Sequence, residues 1–275
     1  NGERLRAAFE HDASNATLTL ATQLQEPLRA LDALHGVLSV ARHLSRDEMH
    51  TATESWLSNS AIRSMGWTER VRRDEIAGFE ARVRAEGTPE FHVFDRPDAA
   101  NASETTPPVI AFPFDGRDAF VVRHLEPEAM RSAVLGRNSL SAPHTRAAIV
   151  AAVESAEPAA TAAYSPHYQL PGENQKAIVL YRALYDGPAT TPADRRAAVR
   201  GLAFVTLAVD AQLASVADKL PHYLKLCVVD VVATVAAGSG QRLAGPAGCE
   251  AAITPFAFTR PMTFGGRRWE LRAAA

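Results

Sequence analysis

The stretch Ile62–Asp95 reads IRSMGWTERVRRDEIAGFEARVRAEGTPEFHVFD. Its opening residues are expected to form a short helix leading into Gly66-Trp67 and then Glu69-Arg70-Val71. A charged amphipathic helix is expected next, through Phe79-Glu80, ending at Glu86-Gly87, where glycine suits a helix terminus. Phe91-His92-Val93-Phe94 is expected as a strand.

Toward the N-terminus, residues 3 to about 50 read as long helices, because Leu24, Leu28, Leu31, Leu34 and Leu38 recur on one helical face. Pro27 lacks a backbone donor and should kink or restart that helix near Glu26. The earlier part carries only a thin apolar stripe, with Leu18, Leu20 and Leu24 as its larger members. Such a stripe suits packing on a second copy of the chain or on its own domain. Ser45 and Glu48 form a capping-box pattern that should start a helix over Arg46–Leu57, and Leu57, Ile62 and Trp67 should supply core.

Toward the C-terminus, 95–108 is polar and proline-rich and is read as a surface excursion first and a lid second. The tripeptides Asn15-Ala16-Thr17 and Asn101-Ala102-Ser103 fit a glycosylation pattern too common to imply modification. Strands are expected at Val109–Phe112 and Ala119–Val122 around the turn Asp115-Gly116, and a helix from Pro127 toward Asn138. A helix at Thr145–Ser155 and strands at Ala159–Tyr164 and Lys176–Tyr185 follow. Helices set against an antiparallel sheet make an α+β unit. Beyond it come a helix from Thr191-Pro192 to Arg200, a strand Leu202–Val209, a helix from Ala211 to Leu220 and a strand Leu224–Val229. Strands around Phe256–Phe258 and Arg268–Leu271, turned by Gly265-Gly266, close the chain. The expected division is a helical stalk over 1–60, a first α+β unit over 61–190 and a second over 191–275, with the boundary between Asp186 and Arg196.

The 275 residues, 47% hydrophobic, suffice for one large core or two smaller ones. With 29 basic and 31 acidic residues the formal charge is -2, and no basic tract is interleaved with aromatics, so nucleic acid is not an expected partner. The apolar runs Leu202–Val209 and Cys227–Val235 are interrupted or bounded by Asp210 and Asp230, short of the roughly 20 residues a spanning helix needs. No signal peptide is expected within these residues. Cys227 and Cys249 are either two buried thiols or a disulfide closing a loop rich in glycine and proline, which would suit an oxidising compartment.

Chemistry-bearing patterns are sparse. Nine histidines, at 11, 35, 43, 50, 92, 124, 144, 167 and 222, show no metal-ligand spacing. His43 and His50 would share a helix face only if no helix started at Ser45. Gly238-Ser239-Gly240-Gln241 lacks the lysine of a phosphate loop and reads as a turn, and Asp47-Glu48 sits in a charged helix. No catalysis and no cofactor are expected.

The chain resembles the CHASE domain, the extracytoplasmic sensor module of plant cytokinin receptors and of many bacterial histidine kinases and diguanylate cyclases. The likeness runs from about Leu31 to Leu271. It rests first on Leu44–Met49 and Trp67-Thr68-Glu69-Arg70-Val71, where Glu69 replaces the usual Pro, and on Phe79-Glu80. It continues through Glu126-Pro127, Ala133–Gly136, Ala152–Ala156, Pro158–Thr161, Ala183–Tyr185, and Asp194-Arg195-Arg196 to Leu202. Arg131 stands where the family often has Asn, and Arg137-Asn138 where it often has Asp.

The resemblance implies a long stalk and two PAS-like subdomains, the first holding the ligand, between two transmembrane helices on the periplasmic side of an inner membrane. It implies a homodimer through the N-terminal helices and a parent receptor, a histidine kinase first and a diguanylate cyclase next. It places the ligand's acidic partner at Glu126, a pocket hydroxyl at Thr161 and an aliphatic wall at Val150. Phe112 and Phe120 are candidate covers for an apolar ring, and Arg123 and Arg131 suit an anion. The expected ligand is cytokinin-like, otherwise purine-like, or a small anion. The competing readings make Glu126-Pro127 a helix start, Thr161 a strand residue and both phenylalanines core, in a module that only dimerises.

Overall fold

A computed structural model describes residues 2–41, 43–95, 116–165, 176–231, 240–251 and 254–275. Two helices run first, α1 (Gly2–Gln23) and α2 (Glu26–Val40), separated at the point where Pro27 enters the first turn of α2. Helix α3 (Arg46–Leu57) opens on Ser45, and both halves of its capping box are made. Then come β1 (Ile62–Arg72), α4 (Ile76–Ala85), β2 (Asp118–Glu126), the single-turn α5 (Arg131–Val134), α6 (Pro143–Ser155), β3 (Ala159–Ala160), β4 (Ala177–Tyr185), α7 (Pro192–Ala198), β5 (Val199–Ala208) and α8 (Val209–Ala217). Strands β6 (Lys225–Asp230), β7 (Gln241–Ala244), β8 (Ala257–Phe264) and β9 (Arg267–Ala274) finish the chain.

The expected α+β class, with a helical start and two sheets, is the observed one. The first sheet has the order β2-β1-β5-β4-β3 and the second β7-β6-β9-β8, with antiparallel pairing in both. One core runs along the stalk beneath both sheets. Leu31, Leu34 and Leu38 of α2 pack on Trp67, Leu184, Ala203 and Val205, while Phe9, Ala13 and Leu20 of α1 share that core with Trp269 and Leu271. The break at Pro27 thus falls where the stalk passes from the second sheet to the first. On the opposite face of the first sheet, Phe120, Val122, Tyr181 and Phe204 pack against Ile149 and Val153 of α6.

Four local expectations are corrected. The run after Ile62 is strand, not helix: Met65, Trp67 and Val71 alternate with Ser64, Gly66, Thr68 and Arg70, and β1 is hydrogen-bonded on both sides. Gly66 and the charged residues masked that period of two. Phe91–Phe94 is not a strand but an extended segment with one bridge, Phe94 to Arg137, and Phe91 packs edge-on to Phe79. The run Leu202–Val209, assigned to the second unit, is the core of β5 at the centre of the first sheet, so the boundary expected between Asp186 and Arg196 does not separate the sheets. A strand buried on both faces reads as an unbroken apolar run and carries no mark of the sheet it joins. The helix expected from Pro127 is a short 3-10 turn and α5. The expected strand Val109–Phe112 lies outside the described residues, as do Gly238 and Ser239 of the expected turn.

Candidate ligand-binding site

A cleft of about 730 Å³ opens on the stalk side of the first sheet. Its walls are the end of α2 and the α2–α3 link, α4 with Glu86–Thr88, the β1–β2 edge, and α5. Such a volume is in the range of small-molecule sites.

The floor follows from one glycine. A Cβ at Gly201 would collide with the indole of Trp67 and the Thr68 carbonyl, so glycine at that place lets the ring lie flat across β5. Arg200 stacks over that ring, 5.4 Å from its centroid, and donates to the Leu38 carbonyl at the end of α2. On the α4 wall Arg82 makes the same kind of stack over Phe79, also at 5.4 Å.

Most of the charges around the cleft are held in pairs. Glu126, 2% exposed, accepts from Arg131 and lies 3.4 Å from His50 Nδ1. Arg131 also donates to the Leu125 carbonyl at 2.9 Å. Arg123 donates to Glu86, Arg46 to Glu128, and Glu48 is engaged by the Ser45 cap. Glu69 is different. It shares the strand face of Trp67, its nearest cation is Arg82 at 3.7 Å, and burial pushes its carboxyl up against the opposing pull of Arg123 and Arg82. His124 is pushed down to about 4, by burial first and then by Arg123, so it stands neutral in the cleft wall.

The structure divides the residues singled out in the sequence. Arg123, Glu126 and Arg131 line this cleft. Phe120 is fully buried in the α6 layer, and Val150 packs at that layer's margin. Thr161 accepts a hydrogen bond at its hydroxyl oxygen from the Val179 amide at 3.0 Å, the role of an edge residue in a sheet. Phe112 lies outside the described residues. Cys227 and Cys249 are joined in a disulfide, their Cα atoms 5.9 Å apart. Glu69, Arg82 and Arg200 were not singled out as site residues. The alternation Trp67-Thr68-Glu69, read as strand, would have put a carboxylate on the same face as the indole and raised the question of its partner.

A second, smaller space of about 30 Å³ lies on the α6 face, lined by Ser64, Arg137, Ser139, Tyr181, Phe204 and Thr206 among others. Ser64, Ser139 and Thr206 are buried there, with Arg137 and Thr145 beside them. Among the described residues no three His, Cys, Asp or Glu side chains cluster as a metal site, and no helix is long and apolar enough to cross a membrane.

The CHASE domain profile matches residues 42–242. No curated protein sequence matches the chain. Among solved structures, an extracellular ligand binding receptor from Desulfohalobium retbaense aligns with a TM-score of 0.54 at 12% identity, over 94% of this chain and 38% of the receptor. The chain thus spans under two fifths of that receptor's length. The ligand binding domain of the Pseudomonas aeruginosa amino acid chemoreceptor PctC, in complex with GABA, aligns with a TM-score of 0.47 at 10% identity, over 98% of this chain and 99% of that one.

Proposed function

This chain belongs to the CHASE domain family of extracytoplasmic sensor modules, and from that premise we propose that it binds a small molecule in the stalk-side cleft and passes the change to its N-terminal helices. The observation that carries this reading is the make-up of the cleft walls. The sheet supplies one wall and the α2–α3 junction another, and Arg200 bonds them directly through the Leu38 carbonyl. A ligand seated between them has contacts on both, which is the differential interaction a conformational signal requires. The parent is read, on family likeness, as a transmembrane receptor with a histidine kinase or, next, a diguanylate cyclase as output. A homodimer through the N-terminal helices belongs to the same reading, supported by the exposed apolar side chains of Leu5 and Leu18 on α1.

The test is a thermal-shift screen against purines, cytokinins, small carboxylates and amino acids. A ligand that binds only the folded state raises the melting temperature by mass action. The shift should vanish in Thr88→Phe, which fills the cleft from its rim, and survive Thr206→Val with Tyr181→Phe. The second reading, a ligand on the α6 face, is favoured by the buried hydroxyls of Ser64, Ser139 and Thr206, and predicts the reverse pattern. No shift for any compound would favour a module that only dimerises.

A further inference from the structure

The cleft is lined by five arginines (Arg46, Arg82, Arg123, Arg131 and Arg200) and four glutamates (Glu48, Glu69, Glu86 and Glu126). Once the tight partners are set aside, few charges remain available to a ligand. Arg46, Arg123 and Arg131 each donate to a carboxylate, and Glu48, Glu86 and Glu126 each accept from a partner. Glu69 and Arg82, at 3.7 Å, lie beyond hydrogen-bond reach of each other. Arg200 spends one donor on the Leu38 carbonyl, and its nearest carboxylate, Asp186, is 3.9 Å away. The leftover set is therefore one carboxylate and two guanidiniums. The apolar part of the lining comes from the buried Leu38, Met49, Trp67 and Phe79 and the part-exposed Leu44 and Leu135.

A monoanion placed there would meet Arg82 and Arg200 but bring a like charge beside Glu69. A monocation would satisfy Glu69 and face two guanidiniums. Each leaves a partly desolvated charge opposed, which is the costly arrangement. Resting on the reading that this cleft is the ligand site, we propose that it takes a small zwitterion with an apolar body, an α-amino acid with an apolar side chain being the simplest case. Its ammonium group donates to Glu69, its carboxylate accepts from Arg82 and Arg200, and its side chain packs against Leu44 and Leu135, the part-exposed aliphatic residues of the lining.

The experiment is isothermal titration of the whole domain with L-leucine, isocaproate and isoamylamine, three molecules with the same apolar body and different charges. Leucine should bind, with isocaproate and isoamylamine weaker by about 10- to 100-fold, the worth of a lost charged hydrogen bond. Glu69→Gln should abolish the preference for leucine over isocaproate, and Arg82→Gln should reduce the preference for leucine over isoamylamine, Arg200 still holding the carboxylate, with unliganded melts showing both variants folded. Isocaproate binding as tightly as leucine, or a preference unchanged by Glu69→Gln, overturns the proposal, as does the absence of any leucine binding. The two levels fail differently. A ligand of another class whose binding Thr88→Phe abolishes keeps the cleft and refutes the zwitterion. Leucine binding that survives Thr88→Phe and is lost in Thr206→Val with Tyr181→Phe refutes the cleft itself.

Discussion

The guanidinium of Arg200 lies over the indole of Trp67, 5.4 Å from the ring centroid, while its Nη2 donates to the Leu38 carbonyl. One side chain on β5 thus holds both the floor of the cleft and the end of the stalk helix α2. The stack and the bond to a terminal helix carbonyl are each worth about 1 kcal/mol. Arg200→Ala should lower the unfolding free energy by about 1–3 kcal/mol in urea titration. Arg200→Lys should recover less than half of that, since an ammonium cannot stack flat and donate sideways together. Full recovery by lysine would show that only the charge matters.

Glu126 and Arg131 form an ion pair whose carboxylate is sealed from solvent. Removing Glu126 leaves the largely buried Arg131 with only the exposed Glu128, 3.4 Å from its Nη1, as an ionic partner, so Glu126→Ala should cost up to about 3 kcal/mol. Glu126→Leu combined with Arg131→Met should restore most of the loss, because the desolvation cost leaves with the pair. A double variant as unstable as the single one would show that the residues act separately.

The disulfide between Cys227 on β6 and Cys249 after β7 closes a segment with a sequence separation of 22. Limiting the unfolded chain over such a loop contributes about 2–4 kcal/mol. Paired Cys227→Ala and Cys249→Ala substitutions should lower the melting temperature by several degrees, about 2–4 °C per kcal/mol for a chain of this size. The first sheet shares a continuous core with the second, so the loss should show as one cooperative transition at lower temperature. A separate early transition would mean that the second sheet melts alone.

Much of the fold was legible because its signals are local. The leucine spacing of α2, the break at Pro27 and the Ser45 cap each depend on a few neighbouring residues. β1 was misread because its apolar period is interrupted by Gly66 and Glu69, both of which make sense only against residues far along the chain: Gly66 against His124 and Phe204, Glu69 against Arg82. The assignment of β5 failed for the same reason, since strand pairing is decided by partners and not by the strand. The site was half legible. Glu126, Arg123 and Arg131 could be found because they lie together on β2 and just after it, whereas Arg200 reaches the cleft only through the pairing of β5 with β1.

His124 gives the fold a pH dependence of known sign. Burial, then the charge of Arg123, holds its ring down at about 4, while its hydrogen bond to the Leu44 carbonyl opposes the shift and Arg131 adds to it. In the unfolded chain the ring takes a proton near its ordinary value of about 6.5. Between those values the unfolded state binds more protons, so stability falls as pH drops through the window, and the loss is complete near 4. The size is on the order of 1–3 kcal/mol. Glu69 acts in the opposite direction. Its raised carboxyl takes up a proton in the folded state first, so stability is gained as pH falls through its folded value. The two are separable by substitution. Urea unfolding at about pH 7 and about pH 4.5 should show a smaller loss for His124→Asn than for the wild type and a larger one for Glu69→Gln. Asparagine can still donate to the Leu44 carbonyl, so His124→Asn isolates the charge. A wild-type loss on acidification that persists unchanged in His124→Asn would place the titrating group elsewhere in the chain.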